Sequence, residues 1–151
     1  MIFIEYMESV GIIIIARDTN NMLLLHRVKN PIVWSSLSGK MEKGENPIQT
    51  IKREIKEEIG VNPTMIDNIE VLGKSGSHYV VVGYVDEEFK IPNLKKNEND
   101  TYGWFNREKL PSPMHPKWSQ TFKFINPILR LREGFKKMFN NLINEQKFNK
   151  K

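Results

Sequence analysis

The apolar positions change rhythm along the chain, and each rhythm predicts an element. Val10–Arg17 is an apolar run rich in β-branched residues that ends in the polar cluster Asp18-Thr19-Asn20-Asn21. A strand followed by a turn is expected there. Met22–Arg27 follows as a second strand, and the pair reads as a hairpin. Lys29–Ser38 holds Pro31 and three serines and reads as a loop. From Pro47 the period becomes helical. At about 100° per residue, Ile48, Ile51, Ile55 and Ile59 lie within roughly 80° of one another. Proline suits a first helical turn and Gly60 suits a C-terminal cap, so a helix is predicted over Pro47–Ile59.

Asn62-Pro63 restarts an extended chain. Strands are expected at Thr64–Leu72, His78–Val85 and Tyr102–Phe105, with a turn at Gly73–Ser77. Asp86–Asp100 reads mostly as strand edge and loop. Asn106–Lys117 carries Pro111, Pro113 and Pro116 and reads as irregular. Beyond Trp118 the apolar spacing predicts one or two helices over about 117–147, broken near Pro127. Hairpins interleaved with helices predict an α/β layered domain around a mixed sheet. The length of 151 residues favours one domain spanning 1–151.

Composition changes this picture little. An apolar fraction of 39% excludes a disordered chain. The absence of cysteine excludes disulfide and thiolate-metal staples and fits a reducing compartment. No stretch approaches the roughly 18 apolar residues of a spanning helix, and the N-terminal run lacks a basic flank, so a cytoplasmic protein without membrane association is expected. The net charge of +5 suits a polyanionic partner. Much of it sits in the tail from Lys136, which holds five lysines and one glutamate.

The chemistry lies on the predicted helix. Glu54, Glu57 and Glu58 fall within about 100° of one another beside the isoleucine stripe. Like charges at i, i+4 oppose helix formation unless a cation sits between them. Oxygen ligands alone select a hard ion, magnesium or manganese. A Glu-rich face beside Lys52, Arg53 and Lys56 is by itself most often solvated, so the carboxylates alone do not decide the matter.

The wider pattern does. Gly39 is followed by five residues and Glu45, then seven residues and Arg53-Glu54-Ile55-Lys56-Glu57-Glu58-Ile59-Gly60-Val61. This resembles the Nudix box, with all its fixed positions matched over 39–61. The resemblance implies a Nudix fold, an α/β/α sandwich, and cleavage of a nucleoside diphosphate linked to another moiety. It implies that Glu54, Glu57 and Glu58 bind divalent metal, joined by the backbone carbonyl of Ser38. Glu57, Glu58 or a carboxylate outside the box would activate water, and Arg53 would orient the glutamates. Glu45, Gly39 and Gly60 would be structural. Leu37-Ser38 stands where the family commonly has Pro-Gly, whereas Trp34 matches an upstream aromatic. The lysine- and asparagine-rich composition resembles phage-encoded members.

Outside the box, Glu98 is expected as an extra ligand or base, ahead of Asp100. Tyr79, 18 residues beyond Val61, resembles a mark of dinucleoside polyphosphate hydrolases. Tyr102 and Trp104 could stack on a base, and Arg27 could contact phosphate, with Lys29 beside it. The histidines, His26, His78 and His115, show no ligand spacing. The expected substrates are ADP-ribose, diadenosine polyphosphates or FAD. Oxidised nucleoside triphosphates and capped RNA are the alternatives. A non-catalytic nucleotide-binding module is disfavoured by the full set of glutamates. Many members of the family are homodimers, so a homodimer is a further expectation.

Overall fold

In the computed structural model, residues 7–149 are described. They fall into two compact units that divide after His115. The first holds a seven-stranded mixed sheet and a helix, and the second is a single long helix. Its strands are β1 (Ser9–Ala16), β2 (Met22–Arg27), β3 (Trp34–Ser35), β4 (Leu37–Lys40), β5 (Asp67–Ser75), β6 (His78–Val85) and β7 (Asn99–Phe105). Helix α1 spans Pro47–Ile59, and a 3₁₀ turn covers Pro63–Met65.

The central path of the sheet runs β3-β2-β1-β6-β5. β1 and β6 pair in parallel over their whole lengths, Ser9 with His78 through Ala16 with Val85. The other pairings are antiparallel. β1 and β2 touch in register at Ile15–Met22 and then part. Each strand takes a short partner beyond that point. β4 lies on β1, with Ser9 opposite Lys40 and Ile12 opposite Leu37, and β3 lies on β2, with Leu25 opposite Ser35. Ser36 alone joins the two short strands, so the chain crosses from β2 to β1 within one residue. The divergence opens a cavity beside β4.

Alternation along β1 sorts its side chains by face. Val10, Ile12, Ile14 and Ala16 join Ile51, Ile55 and Ile59 of α1 in one buried cluster. Each such isoleucine contributes roughly 1.5–3 kcal/mol on burial. Asn46 caps α1: its side chain accepts from the Gln49 amide, and the Gln49 side chain accepts from the Asn46 amide. Gly60 ends the helix at φ 65°, a left-handed conformation that a Cβ would strain.

Three expectations about the first unit are corrected. The loop over Lys29–Ser38 contains β3 and the start of β4, which are too short to show a period. The strand expected from Thr64 starts at Asp67, because Asn62 folds Pro63–Met65 into a turn by accepting from the Thr64 amide at 3.1 Å. The strand expected from Tyr102 begins at Asn99, where pairing with β2 continues past a bulge at His26/Arg27.

The second unit is helix α2 (Pro116–Asn149). It runs unbroken through Pro127, where a break was expected. Proline removes one backbone donor and crowds the preceding turn. The apolar spacing nevertheless keeps its phase across it, from Phe124 to Ile128 and Leu131. No helix among the described residues is long and apolar enough to cross a membrane.

Candidate active site

Helix α1 faces the core with its isoleucines and faces the cavity with glutamates. Glu54 and Glu58 follow Ile51 and Ile55 at i+3, at the edge of the buried stripe. Only 9% of Glu54 and 4% of Glu58 is accessible. Glu57 lies further round, and its side chain is half exposed. The three carboxylates are therefore unequal, and a uniformly solvated face is ruled out for two of them.

Arg53 organises the surroundings. Its Nε and Nη2 donate to Glu45 Oε2 and Oε1 at 2.9 and 3.0 Å, a bidentate fork. Its Nη1 donates to Glu54 Oε1 at 3.0 Å and to Glu57 Oε2 at 3.2 Å, and Nη2 also reaches the Lys40 carbonyl at 3.0 Å. Glu45 is held in turn by the Glu42 amide at 2.8 Å and by the Thr50 hydroxyl at 3.1 Å. The Arg53 hydrogen bonds, then the Glu42 amide, hold the Glu45 carboxyl down at about 2. The fork clamps the Glu45 turn, strand β4 and helix α1 together.

Gly39 lies directly against the Glu54 carboxylate, where a Cβ would collide with that side chain. The glycine is thus required by close approach, and it lets the β4 backbone come up to the helix.

Glu98 enters from the segment before β7. The loop is pinned to the helix, because the Lys95 amide donates to the Glu58 carbonyl at 3.0 Å and the Glu98 amide donates to Lys95 O at 3.2 Å. The Glu98 carboxyl stands beside Glu58 and can hydrogen-bond it when one of the two carries a proton. Burial, reinforced by that bond and by the charge of Glu98, pushes the Glu58 carboxyl up to about 7. Burial also raises Glu54, against the opposing pull of Arg53.

These groups share one open cavity of about 1270 Å³. Arg53, Glu54, Glu58 and Glu98 form its acidic end. Ser38 and Gly39 form its floor. Arg27, Lys29, Lys40 and Lys43 supply cations along the walls. Sequence reasoning passes over Lys40 and Lys43; their signal is a place in the variable stretch of the box next to Gly39. Three further sequence candidates lie elsewhere. Tyr79, Tyr102 and Trp104 pack against the core cluster. Tyr79 also carries the Lys74 ammonium 4.7 Å above its ring. The Tyr102 hydroxyl accepts from the Ile91 amide at 3.0 Å, and Trp104 Nε1 donates to the Phe89 carbonyl at 3.0 Å. Asp100 pairs with His26 at 2.7 Å. His78 shares a hydrogen bond with the Ser9 hydroxyl at 2.7 Å, and burial lowers its pKa.

The donor set suits a hard divalent cation. Oε2 of Glu58 is buried without a hydrogen-bond partner, which in a carboxylate calls for a cation or a proton. Glu54, Glu98 and Ser38 border the same space. Among the described residues, no three acidic or imidazole side chains close on one point.

A profile described as the NUDIX domain matches residues 5–125. The chain is 30% identical over 136 residues to the mRNA-decapping enzyme subunit 2 of Saccharomyces cerevisiae, covering 85% of this chain and 14% of that protein. It is 39% identical over 54 residues to the dihydroneopterin triphosphate diphosphatase of Escherichia coli, covering 36% of each. The chain thus spans well under half the length of either relative. Among solved structures, a Nudix hydrolase from M. smegmatis superposes with a TM-score of 0.69 at 17% identity, covering 85% of this chain and 89% of that one. That likeness concerns the fold.

Proposed function

The chain belongs to the Nudix family of pyrophosphatases, and from that premise we propose that it hydrolyses a pyrophosphate bond in nucleoside diphosphate-linked compounds with a divalent cation, magnesium or, in its place, manganese. The observation that carries this reading is the buried Glu58, with one unpartnered oxygen and the Glu98 carboxyl beside it. Glu54, Glu58, Glu98 and the Ser38 carbonyl would hold the cation, with Glu57 at the rim. When bound, it would neutralise phosphate oxygens and lower the pKa of water.

The chain's own residues do the rest. Arg53 keeps Glu45, Glu54 and Glu57 in fixed positions. Arg27, Lys29, Lys40 and Lys43 receive the negative charge of the substrate. A carboxylate oxygen of Glu58 or Glu98 takes the proton from the attacking water as its oxygen bonds to phosphorus, and the phosphate of the other half departs. Positioning and charge neutralisation supply most of the rate enhancement.

The favoured substrates are ADP-ribose, diadenosine polyphosphates and FAD. A cavity of about 1270 Å³ accommodates two-lobed molecules of this kind. The test is a panel of these compounds with magnesium, scored for phosphate-bearing products, with a chelator control. Inertness toward every member with either metal would sink the proposal.

A second reading, cleavage of capped RNA, draws on the similarity to the yeast decapping subunit over 85% of this chain and on the basic character of α2. Lys136→Glu with Lys137→Glu should then lower cleavage of capped RNA at least about tenfold while sparing free nucleotides. Equal effects on both would remove that reading.

A further inference from the structure

Helix α2 carries an apolar seam that the active site does not use. Phe124, Ile128, Leu131, Phe135, Met138 and Leu142 follow one another in alternating steps of four and three residues. That is the heptad spacing of a helix that pairs with another helix. All six are exposed, from 45% at Ile128 to 77% at Phe124. We propose that this seam joins two copies of the chain through a coiled coil between their α2 helices.

Three observations select a second copy as the occupant. The first is the phase. A lipid surface asks only for one apolar face, whereas a strict four-three alternation keeps the seam against a straight partner helix over three heptads. The second is charge. Of the positions flanking the seam between residues 125 and 146, only Arg132 is charged, so identical helices meet without a row of like charges. The basic residues Lys123, Arg130 and Lys137 recur every seven residues on a separate stripe, about 130° round the helix. A membrane-bound helix sets its cations beside the apolar face instead. The third is area. Phe139, which flanks the seam, brings the exposed surface to seven side chains. At roughly 100 Å² each they offer about 700 Å² per chain, within the roughly 600–1,000 Å² that one partner contributes to a stable interface.

The test is sedimentation of the full chain from low micromolar to about 100 µM. A dimer of twice 17.7 kDa is expected. Leu131→Asp with Phe135→Asp should weaken association at least about 100-fold and leave the circular dichroism of the fold unchanged. Phe135→Leu, which keeps an apolar seam, and Lys137→Glu, which alters the outer stripe, should both remain dimeric. If the charged pair unfolds the protein, these two variants and the concentration dependence of the wild type still decide. A wild-type monomer throughout the range overturns the proposal. So does a dimer that survives the charged pair. A monomer that floats with phosphatidylcholine/phosphatidylserine vesicles overturns it in favour of a membrane-surface helix.

Discussion

A carboxylate buried with one oxygen unpartnered costs a folded chain on the order of 1–3 kcal/mol or more, and Glu58 carries that cost. Its folded pKa is raised, to about 7 from 4.5. The favourable, protonated form is fully present below about pH 4.5, and the stability it brings is lost as pH rises through about 7. In metal-free protein at pH 8, Glu58→Gln should therefore raise unfolding stability by about 1–3 kcal/mol, and the gain should vanish near pH 4. Urea denaturation with chelator at the two pH values checks this. Turnover should fall by orders of magnitude in the same variant. A stability loss at pH 8 would show that the Glu58 carboxylate is already satisfied by the fold. At this scale the box residues were legible because their spacing is itself the signal. Tyr79, Tyr102 and Trp104 were not, since an aromatic on a strand reads the same whether it faces a ligand or the core.

At the scale of elements, α1 is the piece that sequence describes best. Its bounds, its isoleucine stripe and the Gly60 cap all follow from local rules, and the structure places them at Pro47–Ile59. The capping box is part of that design. Asn46→Ala should cost about 1 kcal/mol, read as a lower urea midpoint with an unchanged slope. Because the cap lies remote from Glu54 and Glu58, KM and kcat should hold while the protein remains folded. β3 and β4 lie at the other extreme. Two and four residues carry no usable period, and their positions depend on β1 and β2 parting after Ile15–Met22. The continuity of α2 through Pro127 has a similar lesson: a local breaker was outweighed by a spacing that continues across it.

At the scale of the molecule, the proposed cation at the acidic end of the cavity would couple folding to metal binding. Magnesium at about 100 times its Kd should stabilise the protein by roughly 2.7 kcal/mol, visible as a rise in Tm, and Glu58→Gln should remove most of that rise. No rise in the wild type would count against the proposed site. Acid acts on the whole molecule through Arg53. The Glu45 carboxyl is depressed to about 2 from 4.5, so the stability it contributes is present above about pH 4.5 and lost as pH falls through about 2. Arg53→Ala should flatten that acid limb in urea midpoints measured across the range.

The amino-acid sequence alone determined the family, the helix of the box, its C-terminal cap and the positions of its glutamates. Each depends on neighbours a few positions apart in the chain, where spacing translates directly into position. Tertiary structure decided which carboxylates are buried, how Glu98 is brought to Glu58, and which cations share their cavity. Those relations join segments up to about 70 positions apart, 40 in the case of Glu58 and Glu98, and they arise from the parting of two strands and the pinning of one loop to the end of α1. Burial and the proximity of like charges, which set the pKa values and the unsatisfied oxygen, exist only once those distant segments meet.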